Sequence, residues 1–256
     1  MSSYRPVTAV LRGLEVLRVV NRSGLASIKV IHQETGFNKA TIVRMLETLI
    51  HAGYVSADPV ASAYRATGRV KQLSAGYANY DKMAEICAPI LETLREAVGW
   101  PSDFTIRDDD AMIVVRSSRQ NGPFNFNRNP GFRAPILLTS IGKVYLAFCS
   151  AAEREEILVR LQDTTAKLPS RARIDRMLDQ VRTAGFAVME DAYSQREYKG
   201  AILAIAAPVR GANRIYGSIN LMFLRQVGLD EVVKRYIESL QQAAEKISQA
   251  LAENEL

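Results

Sequence analysis

Residues 27–55, SIKVIHQETGFNKATIVRMLETLIHAGYV, admit few folds: they read as a short helix, a glycine turn and a second helix with two chemically different faces. Gly36 stands where the residue after a helix end must take φ > 0, Phe37 can fold back into a core, and Asn38 suits an N-cap. In the second helix Val43, Leu46 and Ile50 recur at +3 and +4, with Ile42 and Leu49 widening the apolar stripe. The opposite face carries Asn38, Thr41, Arg44 and Thr48, with Lys39 beside them. It is small, polar and cationic at its N-terminal end, the part of a recognition helix that meets base edges and phosphates. An ordinary amphipathic helix with a solvated face shows the same stripe, so charge has to decide between the two.

The chain carries 33 Lys+Arg against 27 Asp+Glu, a net charge of +6. Residues 1–75 hold ten basic and four acidic side chains, and the remainder is balanced at 23 of each, so the whole excess lies with the helix-turn-helix pattern. A basic segment joined to a neutral one is the electrostatic footprint of a nucleic-acid binder with a second module. A charge serving solubility alone would be spread more evenly.

At 256 residues and 48% apolar composition the chain can build one large core or two ordinary ones. The start, MSSYRPVTAV, has no apolar signal core, and no uncharged apolar run approaches the ~18 residues that span a bilayer. The expectation is a cytoplasmic protein with no membrane partner. Cys87 and Cys149 are isolated, without a CxxC pair, so neither a disulfide framework nor a zinc site is expected.

A first helix is expected over residues 8–21, with Val10, Leu14 and Leu17 at helical spacing. After Gly53-Tyr54, residues 55–57 can pair with 64–66 around Asp58-Pro59 to make a wing, with Arg65 placed to touch backbone phosphate. Residues 69–80 read as helix, and a further helix reaches Val98, bent or restarted near Pro89. Strands at 102–107 and 111–117 flank Asp108-Asp109-Asp110, where a polar hairpin turn is a cheaper reading than a metal site. Residues 119–135 look like an irregular loop. A helix over Ser140–Phe148, capped by Thr139 or Ser140, is followed by helices at 151–161 and 174–184. Strands are expected at 186–190, 201–209 and 215–223, with Arg210 to Asn213 as the last turn, and a long amphipathic helix at 229–251. Helices with hairpin-connected strands make this an α+β chain with an antiparallel sheet.

Both histidines, His32 and His51, fall in the basic segment, which excludes a histidine triad or histidine-held metal from the rest. No nucleophile elbow, dinucleotide fingerprint or phosphate loop occurs; Gly142-Lys143 lacks the preceding glycine spacing and the following Ser or Thr. Glu190-Asp191, placed on a strand, would point to opposite faces. With no catalytic constellation, no cofactor and no metal site, the second domain is expected to bind a ligand and not to transform one.

The winged segment, the helix at 69–80, and the blocks PILLTSIGKVYLAF (135–148), AGFAV (184–188) and GAILAIAAPV (200–209) together resemble the IclR family of bacterial transcriptional regulators, nearly end to end. Within it, WPSD (100–103), DAMIVVR (110–116) and LAFC (146–149) are similar to the MhpR-type activators of aromatic-acid catabolism, which answer to hydroxyphenylpropionates. The resemblance implies a winged helix-turn-helix at 1–67, a linker helix at 68–82 and a GAF-like effector-binding domain at 83–256. It implies homodimers or homotetramers on a double-stranded DNA operator, an aromatic acid effector and contact with RNA polymerase. Carried over by position, Asn38, Lys39, Thr41 and Arg44 match DNA contacts of the recognition helix, and Arg12, Ser27 and Arg65 match backbone-facing positions. The effector pocket falls between the helix entered at Thr139, Ser140 and Ile141 and strands matching Ile202, Ala204, Asn220 and Met222. Some relatives carry serine or cysteine at the last three positions; Ala204 and Met222 depart toward apolar groups, consistent with a larger, less polar effector, although core packing explains Ile202, Ala204 and Met222 equally well. Arg116 and Arg133 are candidates to pair with an effector carboxylate.

Overall fold

The computed structural model describes residues 4–119, 130–164 and 168–255. The chain divides into two compact units, Met1–Ala78 and Asn79–Leu256. Most of the loop expected at 119–135, residues 120–129, lies outside the described residues.

The first unit contains α1 (Thr8–Ser23), α2 (Ile28–Thr35), α3 (Lys39–His51), and the hairpin β1 (Val55–Asp58) and β2 (Ala63–Ala66), followed by a 3-10 helix over Gly68–Tyr77. Its core is Val16, Leu17, Val19 and Val20 of α1 packed with Ile31, Ile42, Leu46 and Val55. Two expectations about faces are corrected. Val10 and Leu14, expected on the inner stripe of α1, are 58% and 57% exposed, because the face that α1 turns to the core runs through Val16, Leu17, Val19 and Val20. In α3 the buried stripe centres on Ile42 and Leu46, flanked by Met45 and Leu49, while Ile50 is 38% exposed. Turning the stripe by that much leaves Thr41 half-buried at the edge of the polar face.

In the second unit α4 (Ala78–Val98) continues through Pro89 as one helix, with no restart there. Buried Met83, Cys87, Leu91 and Leu94 on both sides of the proline hold the helix against the sheet, which outweighs one lost backbone bond. The sheet has the order β5-β4-β3-β8-β7-β6, every pairing antiparallel. Its strands are β3 (Asp103–Asp108), β4 (Ala111–Ser117), β5 (Arg133–Pro135), β6 (Ala187–Val188), β7 (Ile202–Arg210) and β8 (Ile215–Leu224). The helices are α5 (Ser140–Phe148), α6 (Ala151–Thr164), α7 (Arg171–Ala184), α8 (Asp191–Tyr198) and α9 (Leu229–Glu253).

Period-two alternation on β7 and β8 sorts the side chains. Leu203, Ile205, Ala207 and Val209 with Ile219, Leu221 and Phe223 face α4 and α9. On the other face Ala206 joins the core under α5, α6 and α7, whereas Ile202, Ala204 and Met222 form a separate small cluster. The strand expected at 186–190 shrinks to two residues, because Glu190 occupies the N-cap position of α8, a helix the sequence reading missed. Glu190 and Asp191 are therefore not strand neighbours: they pair separately, with Lys143 and with Arg225. The architecture is α+β, an N-terminal helix-turn-helix followed by a unit built on a curled antiparallel sheet.

A candidate nucleic-acid interface and a candidate ligand site

The helix-turn-helix is fixed by local chemistry. Ser27 caps α2, its hydroxyl accepting from the Val30 N–H at 3.4 Å, and Gly36 at φ 68° closes that helix through a 2.8 Å bond to the His32 carbonyl. Phe37 turns inward against the core, and its carbonyl meets His32 Nδ1 at 2.7 Å. Asn38 Oδ1 accepts from the Thr41 N–H at 2.8 Å, the N-cap the sequence predicts.

The polar face of α3 therefore presents Asn38, Lys39, Thr41, Arg44 and Thr48 side by side. Asn38, Lys39 and Arg44 are exposed, and neither Lys39 nor Arg44 has an acidic partner among the described residues. Elsewhere in the unit cations are partly neutralised: Arg18 pairs with Glu15, and Arg22 with Glu34, each at 2.5 Å. Thr48 donates to the Arg44 carbonyl at 2.8 Å, so its hydroxyl is spent within the helix. Arg12 lies over the Phe37 ring at 5.8 Å, at the turn before α3. The hairpin pairs Ser56 with Arg65 and Ala57 with Tyr64, as the wing requires, and Arg65 Nε reaches Ser56 Oγ at 3.3 Å along its exposed surface.

The second candidate site splits in two. Ile202, Ala204 and Met222 come together with Met189 and Tyr193, and Leu138, Tyr198 and Leu224 border them. Ala204 stands opposite Met222, and Ile202 opposite Leu224, across the β7–β8 pair. Ile141 lies outside that apolar cluster, while Thr139 and Ser140 follow directly on Leu138 at its border. Thr139 caps α5, accepting from the Gly142 N–H at 3.3 Å, Ser140 is buried in the first turn, and Ile141 packs in the core under α7. Helix α8 covers the cluster and is pinned: Ser194 donates to the Ile202 carbonyl, Arg225 binds Asp191 at 2.8 Å, and buried Lys143 pairs with Glu190 and donates to the Val188 carbonyl at 3.0 Å.

Asn220, on the same face of β8 as Met222, is wholly buried and engages Asp103 twice. Its Oδ1 accepts from the Asp103 N–H at 2.8 Å and its Nδ2 donates to Asp103 Oδ2 at 3.3 Å. Ser117 Oγ donates to Asp103 Oδ1 at 2.7 Å, and Arg119 Nη2 to Oδ2 at 2.8 Å. The apolar cluster thus ends on a buried polar node. Sequence reading missed Met189, Tyr193, Asp103 and Arg119 as members of this neighbourhood. A buried acid at a strand start has no periodic signature, and α8 was hidden by its polar composition, DAYSQREY.

The two arginines proposed for an effector carboxylate are bound elsewhere. Arg116 pairs with Glu92 at 3.1 Å on the surface, and Arg133 holds Asp108 and Asp110 at 2.6 and 3.0 Å. Those aspartates with Asp109, at φ 55° and paired with Arg160, form the expected hairpin turn. Among the described residues no three His, Cys, Asp or Glu side chains converge on a metal position. Burial pushes Cys87 up to about 12 and Cys149 up to about 11, so neither thiol is nucleophilic at neutral pH. No described helix is long and apolar enough to cross a membrane.

Residues 9–59 match the IclR helix-turn-helix domain, and residues 75–249 match the family described as bacterial transcriptional regulator IclR C-terminal. The DNA-binding transcriptional repressor YiaJ of Escherichia coli is 26% identical over 258 residues, covering 95% of this chain and 87% of that protein. The crystal structure of the Thermotoga maritima IclR superposes with a TM-score of 0.68 at 18% identity, covering 96% of this chain and 99% of that one. An IclR homolog from Microbacterium hydrocarbonoxydans, solved in complex with 4-hydroxybenzoate, gives a TM-score of 0.66 at 17% identity, again over 96% and 99%.

Proposed function

From the premise that the chain belongs to the IclR family of bacterial DNA-binding transcriptional regulators, and is no enzyme, we propose that its second unit binds a small aromatic carboxylic acid that controls promoter occupancy. The observation that carries this reading is the Met189, Tyr193, Ile202, Ala204 and Met222 cluster ending on buried Asp103 and Asn220. An apolar cluster with one polar end suits an arene bearing a single acidic group, provided its two methionines repack to admit the ring. The Microbacterium hydrocarbonoxydans protein solved with 4-hydroxybenzoate supports the effector class.

Asn38, Lys39, Thr41 and Arg44 read the operator's major groove, with Arg12, Ser27 and Arg65 on the backbone. Residues 68–82, the 3-10 helix and the first turn of α4, serve as linker between a DNA-binding domain at 1–67 and an effector domain at 83–256. Pairing of two copies is supported by α1 and its N-cap, where Val7, Val10, Leu11 and Leu14 expose an apolar stripe to solvent. Such a dimer, free in the cytoplasm, places two reading heads on two half-sites. The sequence likeness to hydroxyphenylpropionate-responsive activators favours activation, with polymerase as the further partner; repression is the second reading, favoured by the likeness to YiaJ.

Footprinting the promoter regions beside the gene with and without 3-(3-hydroxyphenyl)propionate tests this. A palindromic protected site whose occupancy or extent changes with the acid is expected. Protection that ignores every aromatic acid offered keeps the regulator and removes the effector class; a single, non-palindromic half-site removes the pairing.

A further inference from the structure

We propose that Arg119, and neither Arg116 nor Arg133, is the cation that receives the effector's carboxylate. The inference rests on the aromatic-acid reading above and specifies the residue that selects for the acid. Arg119 follows the end of β4, yet its side chain is only 6% exposed. Its Nη2 lies 2.8 Å from Asp103 Oδ2 and also 2.8 Å from Met222 Sδ, so the guanidinium stands directly against a wall of the apolar cluster. Arg116 and Arg133 are about half exposed and occupied by Glu92, Asp108 and Asp110.

The two halves of the buried pair are held differently. Asp103 starts a central strand, is fully buried, and accepts from Ser117 and Asn220 besides Arg119. Its carboxylate keeps the Ser117 and Asn220 donors when the guanidinium turns away. Arg119 lies beyond the last residue of its strand, so the guanidinium is the partner able to re-aim. A buried ion pair adds little net stability over apolar side chains of the same volume, so its position beside a ligand cluster is better explained by recognition. A guanidinium carries five donors in a planar fork that matches a carboxylate two to two. An aromatic acid seated among Met189, Tyr193, Ala204 and Met222 brings its carboxylate to this fork, while Asn220 and Ser117 continue to satisfy Asp103. A neutral amide of the same shape cannot accept that charge-assisted pair.

The test is calorimetric titration of 3-(3-hydroxyphenyl)propionate and of its primary amide into the full-length chain. The proteins are the wild type, Arg119→Met, the double variant Asp103→Asn/Arg119→Met, and Arg116→Gln. The wild type should prefer the acid by about 10- to 100-fold, the range of a charge-assisted hydrogen bond. Arg119→Met should lose that preference while keeping the amide affinity, and Arg116→Gln should behave as wild type. The double variant leaves no buried unpaired charge and gives the same readout if the single variant does not fold. Wild-type affinity for the acid in either folded Arg119 variant overturns the assignment while leaving the effector class standing. A wild type that binds neither compound overturns the effector class and the assignment with it.

Discussion

Gly142→Ala should destabilise the second unit by about 3 kcal/mol or more, at the upper end of what a single added methyl does. A Cβ built on Gly142 falls on the backbone of Ile136, well inside the 3.0 Å that real Cβ contacts respect. Neither partner can yield. Ile136 is fully buried, and α5 is wedged between β7, β8 and α7 with nearly every side chain covered. Sliding the helix away would break the Thr139 cap and the bond from Ser218 Oγ to the Ile141 carbonyl at 3.1 Å. Denaturant unfolding followed by far-UV circular dichroism reads the loss. Gly36→Ala is the contrast: its Cβ meets nothing within 4 Å, and only the φ of 68° resists it, a cost of about 1 kcal/mol. Equal, small losses for both would mean that the 136–138 turn and α5 are looser than their packing implies.

The second large effect is expected at Leu46→Ala, about 2–5 kcal/mol. Leu46 is 1% exposed and sits where α3 meets α1 and the wing, so its removal leaves a cavity in the small core that aims the recognition helix. Because a domain of this size has little stability in reserve, DNA affinity should fall even though Leu46 faces away from the groove. Ile50→Ala, at the exposed edge of the same helix, should cost under about 1 kcal/mol. Leu46→Met, which nearly conserves volume, should restore binding. A Leu46→Ala protein with a wild-type melting curve would put the core of this unit elsewhere.

The parts legible in sequence were those governed by local rules. Gly36 and Asn38 announced the helix-turn-helix because each satisfies a backbone requirement of its own, whereas the Ser27 cap emerged only in the structure. The β7–β8 hairpin was legible because two long apolar runs flank a turn. Faces were harder: Val10 and Leu14 carry the right spacing for burial, but spacing gives no sign of which face the neighbouring elements cover. The ligand cluster was half legible. Ile202, Ala204 and Met222 came from resemblance, while Met189 and Tyr193 depend on how α8 folds over the sheet. Asp103 and Arg119 sit 16 residues apart at strand ends, and only tertiary structure brings them to Met222.

The α3 face is expected to read an operator both electrostatically and by base edge. The most direct measurement is equilibrium binding to the footprinted site and to a random duplex over a salt series, for wild type and Arg44→Ala. Wild-type log K should fall linearly and steeply with log salt on both duplexes, from phosphate contacts by groups such as Arg12 and Arg65. Arg44→Ala should lose roughly 1–3 kcal/mol on the operator and much less on random DNA. Salt-independent binding, or an unchanged preference for the operator in Arg44→Ala and in Thr41→Ala, would contradict the account.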